Sequence, residues 1–376
     1  MALASEAVQA RLRDWLEASV AGWSNVRLRP LEVLLGSGFS AEIFFVDVDY
    51  DDASGAQSRT LVVRRQPTDL EVVLGSSLEL QGRMMAALDR LKLAPVPDWI
   101  GMELDPAVLG NPFLIMGRVD GQSATQNPNY NSTGWIADMT PAQRGVTWKN
   151  AIEAFAQLSK IDWQADGFAF LARAEWGRPG LDQYLGHIEA WYRGCRKDRV
   201  MPTVDAAIAY IRAHEPKDTP VNVLWGDSTP SNVMFRADGS VSGLIDWELA
   251  AMGPSELDLA WWLYFDDLFS RRFGVPRLEG LPTRDESISI WEAAAGRKAQ
   301  HLDYYDVVVA LRMALVVVGA FDRQVGVGNI APENKSLSAN FMTLYLAERL
   351  GMDLPELGPD FYAFMSNMTP VDQKDD

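Results

Sequence analysis

The sequence predicts an α+β chain of two lobes, a small antiparallel sheet carrying one helix followed by a larger, mainly helical lobe. Three observations lead there. Apolar and polar residues alternate with strand periodicity between Leu31 and Val63. Beyond Gly121 the apolar positions recur at helical spacing in one segment after another. A short hairpin signal, Asp238-Gly239, then interrupts the helices. With 376 residues, 48 % hydrophobic and 23 % charged, the chain is long enough and ordinary enough in composition for two lobes with a sizeable core.

The first element is a helix over residues 2–20, with Val8, Leu12, Trp15 and Leu16 on one face, expected to pack outside the first lobe. Leu31 to Leu35 reads as a strand, followed by Gly36-Ser37-Gly38-Phe39-Ser40. Glu42 to Tyr50 is the next strand, with Phe44, Val46, Val48 and Tyr50 on one face. A third runs through Leu61, Val62 and Val63 into Arg64-Arg65. The glycine segment lacks both the following helix and the third glycine of a dinucleotide fingerprint. A glycine hairpin between strands can instead fold its N–H groups over phosphates. Ser77 to Leu91 is a helix, ended by Pro95-Val96-Pro97. Pro112 to Met116 is a short strand, and Gly117 to Gly121 is a linker. The lobe boundary is drawn there, giving lobes 1–120 and 121–376.

In the second lobe Thr140-Pro141-Ala142-Gln143 has the form of a capping box with proline at the first helical position. Trp148, Ile152, Phe155 and Leu158 continue its buried face. Leu181 to Tyr192 and Ala206 to Ala213 are two further helices. A helix follows Gly253-Pro254, with Glu256, Asp258, Trp261 and Trp262. Thr283 with Glu286 is another capping box, residues 304–321 form a central buried helix, and Leu337 to Leu350 the last one. Asp266 and Asp267 are expected at a solvated helix end. The 13 tryptophans are expected to pack in the core, with Trp261, Trp262 and Trp291 the candidates for a substrate pocket.

The chemistry gathers between Leu224 and Asp246. Val221, Val223 and Trp225 alternate like a strand that stops at Gly226-Asp227. Asn232 opens a second run, Val233-Met234-Phe235, and Val241 to Ile245 returns antiparallel to it. A two-residue turn at Asp238-Gly239, both tolerating positive φ, sets Asn232 opposite Ile245 and beside Asp246. Asp227 reaches the same open end. Oxygen-bearing side chains converging on one point suit Mg²⁺, a hard cation that shares its shell with substrate phosphates. Phosphoryl transfer also needs a carboxylate to orient and deprotonate the attacking hydroxyl.

Gly-Asp-x4-Asn followed by Ile-Asp-Trp-Glu resembles the catalytic core of the aminoglycoside phosphotransferase family, relatives of choline kinases and protein kinases. The resemblance implies a bilobal protein-kinase-like fold, ATP or GTP as co-substrate, Mg²⁺, and a small-molecule hydroxyl as acceptor. It makes Asp227 the catalytic carboxylate, Asn232 and Asp246 the magnesium ligands, and Gly36, Ser37, Gly38, Phe39 and Ser40 the phosphate loop. Arg64 stands where the family usually has lysine against the α- and β-phosphates, leaving Arg65 as the exposed neighbour. Helix 77–91 is expected to supply an acidic partner for Arg64; Gln81 stands where glutamate is usual, Glu79 lies two residues earlier, and the partner stays open. Met116, Gly117 and Val119 fall at the hinge, where adenine would bond backbone groups. Asp258 is implied to brace the catalytic loop. Many members have histidine where this chain has Trp225, which is read as core packing.

A net charge of −17 argues against duplex nucleic acid and anionic membranes as partners. The lone Cys195 rules out an intrachain disulfide framework and reads as a buried, inert thiol, and the three histidines show no metal-ligand spacing. No secretory signal is visible and the longest apolar run, Met313 to Phe321, is short for a bilayer, so a cytoplasmic location is expected. Neither Gly-x-Ser-x-Gly nor Gly-Lys-Ser/Thr occurs. The Trp-Gly-Asp motif and the segment Asp105 to Phe113 resemble the branch related to hydroxyacyl-CoA kinases. A hydroxyacyl thioester or other apolar alcohol is thus one acceptor, an aminoglycoside-type antibiotic another, and a nucleotide-binding pseudoenzyme with a regulatory role the alternative to catalysis.

Overall fold

The computed structural model describes residues 6–29, 32–33, 42–66 and 74–357. Helix α1 (Glu6–Ser19) precedes strands β1 (Ser24–Leu28), β2 (Glu32–Val33), β3 (Glu42–Asp52) and β4 (Gly55–Arg65). Then come α2 (Leu78–Leu91), β5 (Trp99–Glu103) and β6 (Phe113–Gly117). The sheet order is β1-β3-β4-β6-β5, antiparallel throughout, with β2 on β3. Burial in β3 alternates as expected, with Phe44, Val46, Val48 and Tyr50 inward. They meet Val8, Leu12 and Leu16 of α1, and Leu61, Val63, Phe113 and Ile115 from the neighbouring strands. Trp15 meets Phe113 edge-on at 5.1 Å and donates its indole N–H to Glu103 at 2.9 Å. Strand β5 was not anticipated: its residues are all half-buried, so it shows no alternation.

The helical lobe comprises α3 (Trp135–Asp138), α4 (Pro141–Ala156), α5 (Leu181–Arg196), α6 (Pro202–Ala213), α7 (Glu256–Asp267), α8 (Arg284–Ala295), α9 (Leu302–Gly326) and α10 (Phe341–Leu350). Both capping boxes form, Thr140 with Gln143 and Thr283 with Glu286. Helix α9 runs longer than expected and is apolar and long enough to cross a bilayer, but 67 % of its most apolar stretch is buried. It packs against α5, α6, α7 and α10 as the centre of the lobe. Cys195 is buried, which pushes its thiol pKa up to about 11. Asp266 corrects an expectation. It is largely buried rather than solvated and pairs with Arg277 at 2.9 Å.

Short strands β7 (Asn222–Leu224), β8 (Val233–Phe235), β9 (Val241–Leu244) and β10 (Ala251–Gly253) lie between α6 and α7. β8 pairs with β9 and β10 with β7, both antiparallel. The linker from the first lobe is strapped to the hairpin: Gln122 and Phe235 exchange backbone hydrogen bonds of 2.9 Å, and Ser242 donates to the Asp120 carbonyl at 2.5 Å.

Candidate active site

The hairpin closes differently from the two-residue turn expected. Arg236 donates its N–H to the Ser240 carbonyl and accepts from Gly239, so the loop holds three residues and β8–β9 is bulged at Phe235–Val241. Of Asp238 and Gly239 only the glycine has a left-handed φ, +80°, which is the geometry of a type I turn closed by a bulge. Beyond the bulge the expected register holds. Val233 faces Leu244, and Ile245 donates to the Asn232 carbonyl at 2.9 Å. Asp246 therefore follows directly, held at φ +60°, a strained setting for a residue with a side chain.

Asp227, Asn232 and Asp246 come together at this end. The Asn232 amide donates to the Asp227 carboxylate at 2.7 Å and to its carbonyl at 3.0 Å. The other Asp227 oxygen accepts from the Trp261 indole at 2.8 Å. Both carboxylate oxygens are thus oriented. Burial raises the Asp227 pKa above the usual carboxylate value, and the Asp246 charge adds to the rise; Arg312, Trp261 and Asn232 work against it. Gly226 must be glycine: at φ +85° a Cβ would lie 1.9 Å from the Leu249 carbonyl oxygen.

The bracing role implied for Asp258 is present in detail. From α7 its carboxylate accepts the backbone N–H groups of Trp225 and Gly226 at 2.8 and 2.9 Å, and its carbonyl accepts from Ser228 at 2.7 Å. Burial pushes the Asp258 pKa up to about 6, with the two backbone donors pulling against it. Trp225 is fully buried, packed 5.6 Å from Trp247, as the core reading requires. Its indole does more than fill space, donating to the Ile245 carbonyl at 2.9 Å and joining the Asp227 loop to the Asp246 segment.

The two adjacent arginines of β4 are both buried, each 7 % exposed. Arg64 donates to Asp246 at 2.9 Å and to Glu248, so it crosses from the first lobe to the second. Neither residue proposed from α2 supplies these carboxylates: Glu79 lies 3.8 Å from Arg83, and Gln81 is buried. Arg65 is not the exposed neighbour expected. It donates to Glu42 and to the Leu109 carbonyl at 2.8 Å. Met116 and Gly117 end β6, where the N–H of Gly117 donates to Asp98 and that of Arg118 to Thr60. Val119 packs over Gly243 of the hairpin. The proposed phosphate loop, Gly36 to Ser40, lies outside the described residues.

Three residues here were not assigned site roles from sequence. Glu248 stands two positions past Asp246 in the quoted Ile-Asp-Trp-Glu motif, which was its signal. Trp261 was weighed as core packing or pocket lining, and nothing local marks its bond to Asp227. Arg312 is a lone cation amid the apolar run of α9, and its guanidinium lies 4.2 Å over the Trp261 ring.

A family model described as "Phosphotransferase enzyme family" matches residues 33–295, more than half of the chain. A crystal structure from Ralstonia eutropha classed with the aminoglycoside phosphotransferases superposes with a TM-score of 0.64 at 19 % identity, covering 91 % of this chain and 98 % of that one. A macrolide 2'-phosphotransferase of type I gives 0.54 at 20 % identity, over 95 % of this chain and all of the other. Among curated proteins, a probable acyl-CoA dehydrogenase of Arabidopsis thaliana is 24 % identical over 237 residues, 60 % of this chain. A homoserine kinase of Beijerinckia indica is 38 % identical over 69 residues, 17 % of this chain. The matches span 27 % and 21 % of those two proteins' own lengths. The fold is that of the protein-kinase-like phosphotransferases, and the chain belongs to the phosphotransferase enzyme family.

Proposed function

We propose that the chain moves the γ-phosphate of ATP or GTP to a hydroxyl group of a small molecule, with Asp227 as proton acceptor. The observation that carries this reading is the convergence of Asp227, Asn232 and Asp246 at the open end of one hairpin, with Arg64 reaching them from the first lobe. The acceptor oxygen forms its bond to the γ-phosphorus as the bond to the β-bridging oxygen breaks. The electron pair leaves with the nucleoside diphosphate, and the hydroxyl proton passes to Asp227. Catalysis of this kind is positioning plus electrostatics.

Asn232 and Asp246 fit a hard divalent cation. Asn232 spends its amide N–H on Asp227 and keeps a carbonyl oxygen; Asp246 keeps a second carboxylate oxygen beyond the one bonded to Arg64. Two protein oxygens suit Mg²⁺, which fills its shell with phosphates and water. Held by Asn232 and Asp246, such an ion would supply positive charge to offset that of the phosphates. Arg64, already poised between Asp246 and Glu248, has donors suited to a planar contact with phosphate oxygens.

For the acceptor we favour a hydroxyacyl thioester or another apolar alcohol over an aminoglycoside. The partial likeness to a probable acyl-CoA dehydrogenase supports this, as do the aromatic residues Phe170, Trp176 and Tyr184 lining a pocket beside the site. Thermal denaturation tests the nucleotide reading. Mg²⁺ with ATP or GTP should raise the melting temperature of the wild type and leave Asp246→Ala unmoved, because a ligand confined to the folded state must stabilise it. Equal curves with and without Mg-nucleotide in the wild type would remove the proposal. A phosphorylation panel containing 4-hydroxyacyl-CoA and kanamycin separates the acceptors; turnover of kanamycin alone would overturn the acyl choice.

A further inference from the structure

A pocket lies beside the reaction centre and shares Glu248, a partner of Arg64, with it. Gly75, just before α2, forms one wall, and Glu248 to Met252, the segment after Asp246, another. Tyr184 and His187 of α5, Trp176, and Arg312 of α9 complete it. Trp261 connects this pocket to Asp227. Its N–H holds the Asp227 carboxylate, and its ring carries the Arg312 guanidinium at 4.2 Å.

Arg312 is the anomaly. It is only 6 % exposed, yet among the described residues no carboxylate comes within ion-pair distance of it. Among the described residues its one side-chain hydrogen bond goes to the Tyr184 hydroxyl at 3.3 Å. Asp227 and Asp258 feel its charge at longer range, but both take their hydrogen bonds from other donors. A buried cation without a bonded counter-charge is costly, and a guanidinium has five donors in a planar fork. The other groups on the pocket wall leave that charge unanswered. Glu248 is bonded to Arg64, and His187 is kept neutral, burial holding its pKa down to about 4. Arg173, at the rim over Trp176, adds a second positive charge, itself paired with Glu175.

We propose that this pocket receives the phosphate acceptor and that Arg312 binds an anionic group on it, a carboxylate or a phosphate ester. The inference rests on the phosphotransfer reading above and narrows its acceptor to an alcohol that carries an anionic group near the hydroxyl. A polycation would bring its charge against Arg312 and Arg173 and is selected against by repulsion. Trp261 touches Asp227 through its N–H and Arg312 through its ring face, so the acceptor hydroxyl and the anion lie close together and the acceptor is short between the two groups.

Three compounds that share a chain and a hydroxyl test this: 6-hydroxyhexanoate, its methyl ester, and 6-hydroxyhexyl phosphate. Each is titrated calorimetrically into protein saturated with Mg-ADP. At least one anion should bind the wild type about tenfold or more tightly than the ester, and the stronger anion identifies the group. Arg312→Met should bring the anions down to the ester's affinity while Mg-ADP affinity is kept. A purely structural Arg312 would not distinguish anion from ester. If Arg312→Met no longer binds Mg-ADP, Arg312→Lys is used, and it should retain part of the preference. Failure of both anions to bind, equal binding of both anions and the ester in the wild type, or a preference that survives Arg312→Met would overturn the proposal. Failure of the wild type to bind Mg-ADP would instead sink the phosphotransfer reading.

Discussion

The two cores of the molecule are built on opposite terms. In the first lobe α1 and the sheet close around aliphatic and aromatic side chains, Leu12, Val46, Leu61 and Phe113 among them. In the helical lobe the core around Trp225, Trp247 and Trp262 also encloses Asp258, and close beside it lie Asp227, Arg312 and His187. Apolar burial supplies stability that does not depend on ionisation. Buried charges cost stability unless each is bonded, and they remain where chemistry or positioning uses them. The difference teaches where function sits: among the described residues, Arg64 and Arg65 of β4 apart, the buried charged side chains lie in the lobe that bears the candidate chemistry.

The comparison can be broken at several points, taken from the largest expected effect downward. Asp227→Asn keeps the Trp261 and Asn232 neighbourhood but removes the proton acceptor. Phosphotransfer measured at saturating Mg-ATP should fall by about 10²–10⁴-fold with the melting temperature nearly unchanged. Loss of fold in that variant would mean the acid is structural. Leu61→Ala in the first core should cost about 2–5 kcal/mol in urea unfolding, by the same amount at pH 5 and pH 8. A clear pH dependence would contradict the contrast drawn between the cores.

His187 sharpens it from the other side. Its Nε2–H donates to the Leu74 carbonyl at 2.6 Å, and its pKa is held down to about 4 by burial first, with Arg312 and Arg173 adding to the fall. The folded pKa lies below the ordinary 6.5, so the unfolded chain takes up the proton first on acidification. Its contribution is complete above pH 6.5 and is lost as pH falls towards 4. His187→Gln should flatten the stability profile across that window by up to about 3 kcal/mol. An unchanged slope would show that the imidazole is not the group responsible. Trp225→Phe is the smallest change. It keeps the ring in the core but leaves the Ile245 carbonyl without its indole donor, for about 1 kcal/mol by denaturant titration.

Much of this was readable because it is periodic or local. The inward face of β3 follows from alternation, the capping boxes from spacing, and the pairing of Asn232 with Ile245 from turn arithmetic that survived a different turn. What escaped depends on neighbours far along the chain. The resemblance separates Arg64 from Arg65 but gives neither one's partner, and only the pairing of β4 with β3 and β6 sends one to Asp246 and the other to Glu42. Asp246, an acidic partner of Arg64, lies not on α2 but 182 positions away, across the lobes. Arg312 could have been flagged as a charge inside an apolar helix, but its stacking on Trp261 requires α7 and α9 to be packed first.

The indole of Trp225 carries one more consequence. An imidazole in its place could take up a proton on acidification and change both its charge and its hydrogen-bonding choices. Indole has nothing to gain or lose across the range in which proteins stay folded. The clasp between the two loops is therefore blind to acidity, and any response of this enzyme to a souring medium must originate elsewhere.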